Sequence, residues 1–152
     1  MRLLLNKTTS RLIINISLGL LFVSLTQAAF CEEGVCQSNW AGISLFLFGF
    51  LGPFTSVAGL SWLANPALII SWISFYKNRK TSLIASILAC CFALFFRFCT
   101  QIRDDEGGFL HTITGYRAGY WLWLASSLTM LVGNLYLLLV KKDTLVDSPE
   151  LH

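Results

Sequence analysis

The chain has 152 residues, of which 55% are hydrophobic and only 12% charged, and its formal net charge is +3. A soluble domain carries about 25% charged residues to solvate its surface, so a water-soluble globule is excluded and a bilayer is the medium this apolar surface calls for. The basic residues fall in short groups beside apolar runs and form no stripe, which points to membrane topology and away from nucleic acid.

The first apolar run extends from Leu12 to Phe30, with Arg2, Lys7 and Arg11 in front of it. Two readings compete. A basic flank followed by an apolar stretch and Thr26-Gln27-Ala28 resembles a cleavable signal peptide. The stretch is also long enough to span, which favours an uncleaved helix. In both readings Cys31 emerges on the outer side.

The second run, Trp40 to Tyr76, would make a helix of roughly 55 Å, nearly twice the hydrocarbon thickness of about 30 Å. Gly49, Gly52, Pro53 and Gly59 supply the breaks. Charge decides how it divides. Two tight spans would send Lys77, Arg79, Lys80, Lys141 and Lys142 outside. A short interfacial or re-entrant helix over about 40–51, followed by one span over about 54–76, keeps them all inside, as the positive-inside rule prefers.

The third span is expected at Ser82 to Ile102, and the fourth at Ala118 to Val140. The fourth opens in an aromatic group of Tyr116, Tyr120, Trp121 and Trp123 and closes at Lys141-Lys142. In this layout eight of the eleven basic residues lie inside, and both termini are cytoplasmic. The expected fold is an all-α membrane protein, a bundle of about four transmembrane helices in one domain, 1–142. A polar tail, 143–152, is expected to be disordered.

A few residues invite chemical readings. Cys31 and Cys36 lie five apart in the outer loop and can close a small disulfide in an oxidising compartment. The sharper reading is a membrane thiol oxidoreductase, although such proteins use Cys-x-x-Cys and the spacing here is Cys-x4-Cys. Cys90, Cys91 and Cys99 fall within the third run, where buried cysteine acts as a small apolar filler. Two histidines do not make a metal site.

Arg97 falls roughly 8 Å inside the expected boundary at Ile102. It either snorkels toward Asp104, Asp105 or Glu106 or forms an anion or ion-pair site at the outer mouth. The acidic loop before Gly107-Gly108 reads as a solvated turn. Asn65-Pro66 falls mid-span, where proline kinks the helix and asparagine needs a protein partner. Asn134 makes the same demand. Arg97, Asn65 and Asn134 together form the candidate intramembrane polar site, with helix-packing glue as the plainer account. Gly115, Gly119, Gly133, Ala125 and Ser126 offer close helix approach.

The run Gly49-Phe50-Leu51-Gly52-Pro53 leading to Trp62-Leu63-Ala64-Asn65-Pro66 resembles a group of small bacterial inner-membrane proteins with a Trp-x-Ala-Asn-Pro span. The later Glu106-Gly107-Gly108 and the segment Gly119 to Ser126 are similar to that group's last loop and helix. The resemblance implies a bacterial inner membrane and a shared bundle, and it carries no activity. No catalytic, cofactor or metal constellation is expected. The reading is a non-enzymatic accessory or structural protein of the inner membrane, in contact with lipid and with another membrane protein or a second copy. A small permease or channel-like oligomer and a thiol oxidoreductase are the alternatives.

Overall fold

The computed structural model describes residues 2–36, 41–103 and 110–146. Helix α1 runs Arg2–Leu25, α4 Ala64–Lys77, α5 Arg79–Phe96 and α6 Ala118–Val146. Their apolar windows, together with a 3₁₀ turn at Ala58–Leu63 that precedes α4, are long enough for four membrane spans. Between α1 and that turn lie two short helices, α2 (Ala41–Phe48) and α3 (Gly52–Thr55), joined by a 3₁₀ turn at Gly49–Leu51. They extend the expected interfacial helix to Thr55; Trp40 lies outside the described residues.

The spans are antiparallel neighbours. A single residue, Asn78, turns α4 into α5, and its side chain accepts the Thr81 N–H at 3.2 Å, capping a helix start that would otherwise leave donors bare. Ser71 and Ser82 face each other across that hairpin. Gly133 of α6 meets Ile13 of α1, and Gly119 meets the carbonyls of Gln27 and Ala28. A Cβ at Gly119 would collide with backbone carbonyls, so glycine is required there, whereas at Gly133 the Ile13 side chain would have to move. Gly115 differs from the expectation: it lies in a strand with open space around it.

A small sheet, not foreseen from the sequence, covers one end of the bundle. Its strands are β1 (Phe30–Glu32), β2 (Val35–Cys36), β3 (Gln101–Arg103) and β4 (Leu110–Tyr116), in the order β2-β1-β4-β3, all antiparallel. Residues expected at the ends of two spans belong to it. Span one stops at Leu25, so Phe30 is strand; span three stops at Phe96, so Gln101 to Arg103 is strand. The Glu33-Gly34 turn between β1 and β2 has φ of 49° and 83°, the doubly left-handed turn that matches strand twist.

One further expectation is corrected. The tail remains helical to Val146, three residues past Asp143, and 147–152 lie outside the described residues. Pro66 lies within the Ala58–Lys77 span as the third residue of α4, where the chain passes from 3₁₀ to α geometry. The 3₁₀ turn already ends at this junction, so a proline here falls where the helical hydrogen-bond pattern changes in any case. Pro66→Ala is therefore expected to change stability by less than about 1 kcal/mol. Denaturant titration in detergent checks this, and a mid-span kink would instead give a large change.

Two apolar cores stack along the bundle. Phe30, Ala58, Ala64, Ala93, Phe96, Tyr120 and Leu124 pack beneath the sheet. Leu68, Phe75, Ala89, Met130 and Leu137 pack toward the α4–α5 turn.

Candidate functional site

The chemistry-bearing groups gather at the sheet end. Cys31 and Cys36 are opposed residues of β1 and β2, and their sulfurs are bonded. Arg117, between β4 and α6, is held by its N–H donating to the Ala29 carbonyl at 2.8 Å. Its guanidinium lies on the disulfide, with Nε 3.3 Å from Cys31 Sγ and 3.2 Å from Cys36 Sγ, and Nη2 3.0 Å from Cys36 Sγ. Cys31 is 7% exposed, whereas Cys36 is only partly covered. Cys36 borders a shallow hollow with Glu32, Glu33 and His111, and His111 Nδ1 lies 3.2 Å from Glu33 Oε1.

Arg97 is not inside a span. It caps α5 at its C-terminus, is exposed, and places its guanidinium 5.0 Å from the centre of the Tyr116 ring. A cation is favoured at that end of a helix and over an aromatic face. The acids proposed as its partners, Asp104 to Glu106, lie outside the described residues. The Tyr116 hydroxyl shares its single proton among the carbonyls of Phe96, Arg97 and Cys99 at 3.0, 3.2 and 3.2 Å, covering orphan acceptors at the helix end.

Burial pushes the Tyr116 phenol above its ordinary value, with Arg97 pulling partly back. The folded value exceeds the unfolded one, so the phenol's contribution is complete below about pH 10 and is lost as pH rises through the folded value. Tyr116→Phe is expected to cost about 1 kcal/mol at neutral pH and to flatten the alkaline loss. A pH series of unfolding midpoints measures both.

Asn65, on α4, is bonded to Trp123, which stands about 16 Å from Asn134 along α6, so the two asparagines serve different levels of the bundle. Asn65 Oδ1 accepts from Trp123 Nε1 at 2.8 Å. Asn134, fully buried, donates to Ser82 Oγ at 3.0 Å and the Met130 carbonyl at 3.0 Å. Two reciprocal serine clasps join helices. Ser17 Oγ donates to the Ser126 carbonyl at 2.9 Å while Ser126 Oγ donates to that of Ser17 at 2.7 Å; Trp72 Nε1 adds a bond to Ser17 Oγ at 3.0 Å. Ser82 Oγ donates to the Ser71 carbonyl at 2.8 Å and Ser71 Oγ to that of Ser82 at 3.1 Å. Among the described residues, Asn134 Oδ1 and Arg79 Nη1 are the buried side-chain polar atoms without a partner.

A half-open cavity of about 340 Å³ lies beneath the sheet, between the α2–α3 elbow and the bundle. Phe30, Trp62, Asn65, Phe96, Tyr120 and Trp123 line it. Gly52 and Gly59 hold the elbow shut by backbone contact, and Trp62 Nε1 donates to the Phe46 carbonyl at 3.0 Å.

Of the remaining cysteines, Cys90 of α5 is buried and its neighbour Cys91 exposed. Burial pushes the Cys99 thiol up, so it makes a poor nucleophile. Arg117 and the serine clasps were missed in the sequence. The Glu33-Gly34 pair between the two cysteines was a usable hairpin signal, whereas nothing in the sequence joins Arg117 to the disulfide. Compared with protein-family models, with curated proteins and with solved structures, the chain matches none.

Proposed function

We propose that this protein is a non-enzymatic accessory component of a bacterial inner membrane, with both termini cytoplasmic, the sheet outside, and another membrane protein as its partner. The observation that carries the reading is the use of the polar residues within the spans. Ser17, Ser71, Ser82, Ser126, Asn65 and Asn134 are engaged in hydrogen bonds between helices. Groups committed in this way hold a bundle together and are poorly placed to hand a solute along a path.

Orientation is supported by charge. The start of α1, the turn at Lys77 to Lys80 and the end of α6 share one end of the bundle, with Arg79 Nη2 3.3 Å from Ser10 Oγ, and the sheet occupies the other. Basic residues sort to the cytoplasmic side. Alkaline phosphatase and GFP fusions after Tyr76 and Ile102 and at the C-terminus test this: only the Ile102 fusion is expected to give phosphatase activity.

The accessory role predicts that the protein leaves the membrane in mild detergent with a stoichiometric membrane partner. A strictly monomeric, partner-free protein would count against it. Solute flux in liposomes that disappears in Asn65→Leu or Asn134→Leu would replace it with the permease reading.

A further inference from the structure

We propose that the Cys31–Cys36 disulfide is a thiol-exchange site that accepts two electrons from a dithiol, with Cys36 as the attacked sulfur, Cys31 as the leaving group and Arg117 as the cation that receives the leaving thiolate. The proposal does not require the accessory reading, because a single exchange event involves no turnover.

Accessibility selects the sulfur. Cys31, within β1, is 7% exposed, whereas Cys36 borders the hollow formed with Glu32, Glu33 and His111. An incoming thiolate therefore reaches Cys36 Sγ first. Its lone pair forms the new S–S bond, the Cys31–Cys36 bond breaks, and the electron pair leaves on Cys31 Sγ. Arg117 Nε bridges the two sulfurs, 3.3 Å from Cys31 Sγ and 3.2 Å from Cys36 Sγ, so its charge is at hand to stabilise the thiolate that forms on Cys31 when the bond breaks. The second thiol of the same partner then attacks its own sulfur in the mixed disulfide and releases Cys36 as thiolate, with Arg117 Nη2 at 3.0 Å. The partner becomes a disulfide, and its two thiol protons end on Cys31 and Cys36. Exchange rates rise as the leaving thiol becomes more acidic.

A loop staple and an exchange site make opposite demands on Arg117. If the guanidinium only braces the hairpin, removing it loosens the cover and speeds reduction. If it receives the leaving thiolate, removing it slows reduction even though the bond is easier to reach.

The test uses the full chain in mild detergent with dithiothreitol as the probe. Samples are quenched by alkylation and counted by mass, with peptide mapping to separate Cys31 and Cys36 from the other three cysteines. Arg117→Met is expected to open the disulfide about tenfold more slowly than the wild type, with Arg117→Lys in between. Equal or faster opening in Arg117→Met overturns the proposal. Should that variant fail to fold, the wild type treated with 2-mercaptoethanol still decides. The trapped adduct is expected on Cys36, and an adduct on Cys31 overturns the assignment.

Discussion

Replacing Ser126 by leucine is expected to destabilise the bundle by about 2–4 kcal/mol. Ser126 and Ser17 are both fully buried and exchange hydroxyl-to-carbonyl bonds between α6 and α1. Leucine deletes the bond donated by the Ser126 hydroxyl, whereas the Ser126 carbonyl to which Ser17 donates stays in the backbone; a bond of this kind contributes about 0.6 kcal/mol in membrane bundles on average. The larger effect is steric: leucine carries about two more side-chain heavy atoms than serine, which cannot fit where two helices touch through serines, and overpacking costs about 1–3 kcal/mol. The loss also reaches α4, because Trp72 Nε1 donates to the displaced Ser17 hydroxyl. Ser126→Ala, which removes the bond but keeps the close approach, should cost only about 1 kcal/mol. Titration into a denaturing detergent, followed by circular dichroism, ranks the three proteins. An alanine variant as weak as the leucine variant would show that the clasp acts through its hydrogen bonds and not its small size.

Gly59→Val should have the second large effect, confined to one region. The Gly59 backbone lies against Gly52, and a Cβ at Gly59 would overlap the Gly52 carbonyl group. The reverse substitution is gentler, since a Cβ at Gly52 would meet Gly59 Cα at 3.0 Å. With valine at 59 the α2–α3 elbow must swing off the 3₁₀ turn, at about 3 kcal/mol. That movement pulls the Phe46 carbonyl away from Trp62 Nε1 and opens the cavity beneath the sheet. The spans themselves keep their contacts. Hydrogen exchange should therefore show lost amide protection across the elbow, with α5 and α6 unchanged. Loss of protection throughout the chain would mean that the elbow is part of the bundle's folding unit.

How far the fold can be read from residues alone depends on how far apart the interacting groups lie in the chain. Four spans, one short helix before the second span, and the break in the run from Trp40 to Tyr76 all follow from local hydrophobicity and lysine and arginine placement. A span is a one-dimensional object, and its cost in hydrocarbon is summed residue by residue. The ends of the spans were less legible. Phe30 and Ile102 are as apolar as the helices they follow, so composition extended the helices over them. Strand pairing with β4 is what took them out, and pairing depends on residues about 85 and 10 positions away, respectively. Arg97 was misplaced for the same reason: its depth was counted from a boundary at Ile102 that lies in a strand.

The site followed the same division. That Cys31 and Cys36 could pair was visible, because both sit in one short loop. That a cation would lie on them was not, because Arg117 reaches the hairpin only through the long connection of the sheet. Serine and asparagine in a span announce that they need partners, yet they do not name them. Sequence by itself determined that the chain lives in a bilayer, how many times it crosses and which end carries the positive charge, since those are sums over neighbouring side chains. Tertiary structure alone decided which serines clasp, where Arg97 ends up and what stands beside the disulfide, because each is a contact between residues that the chain brings together only on folding.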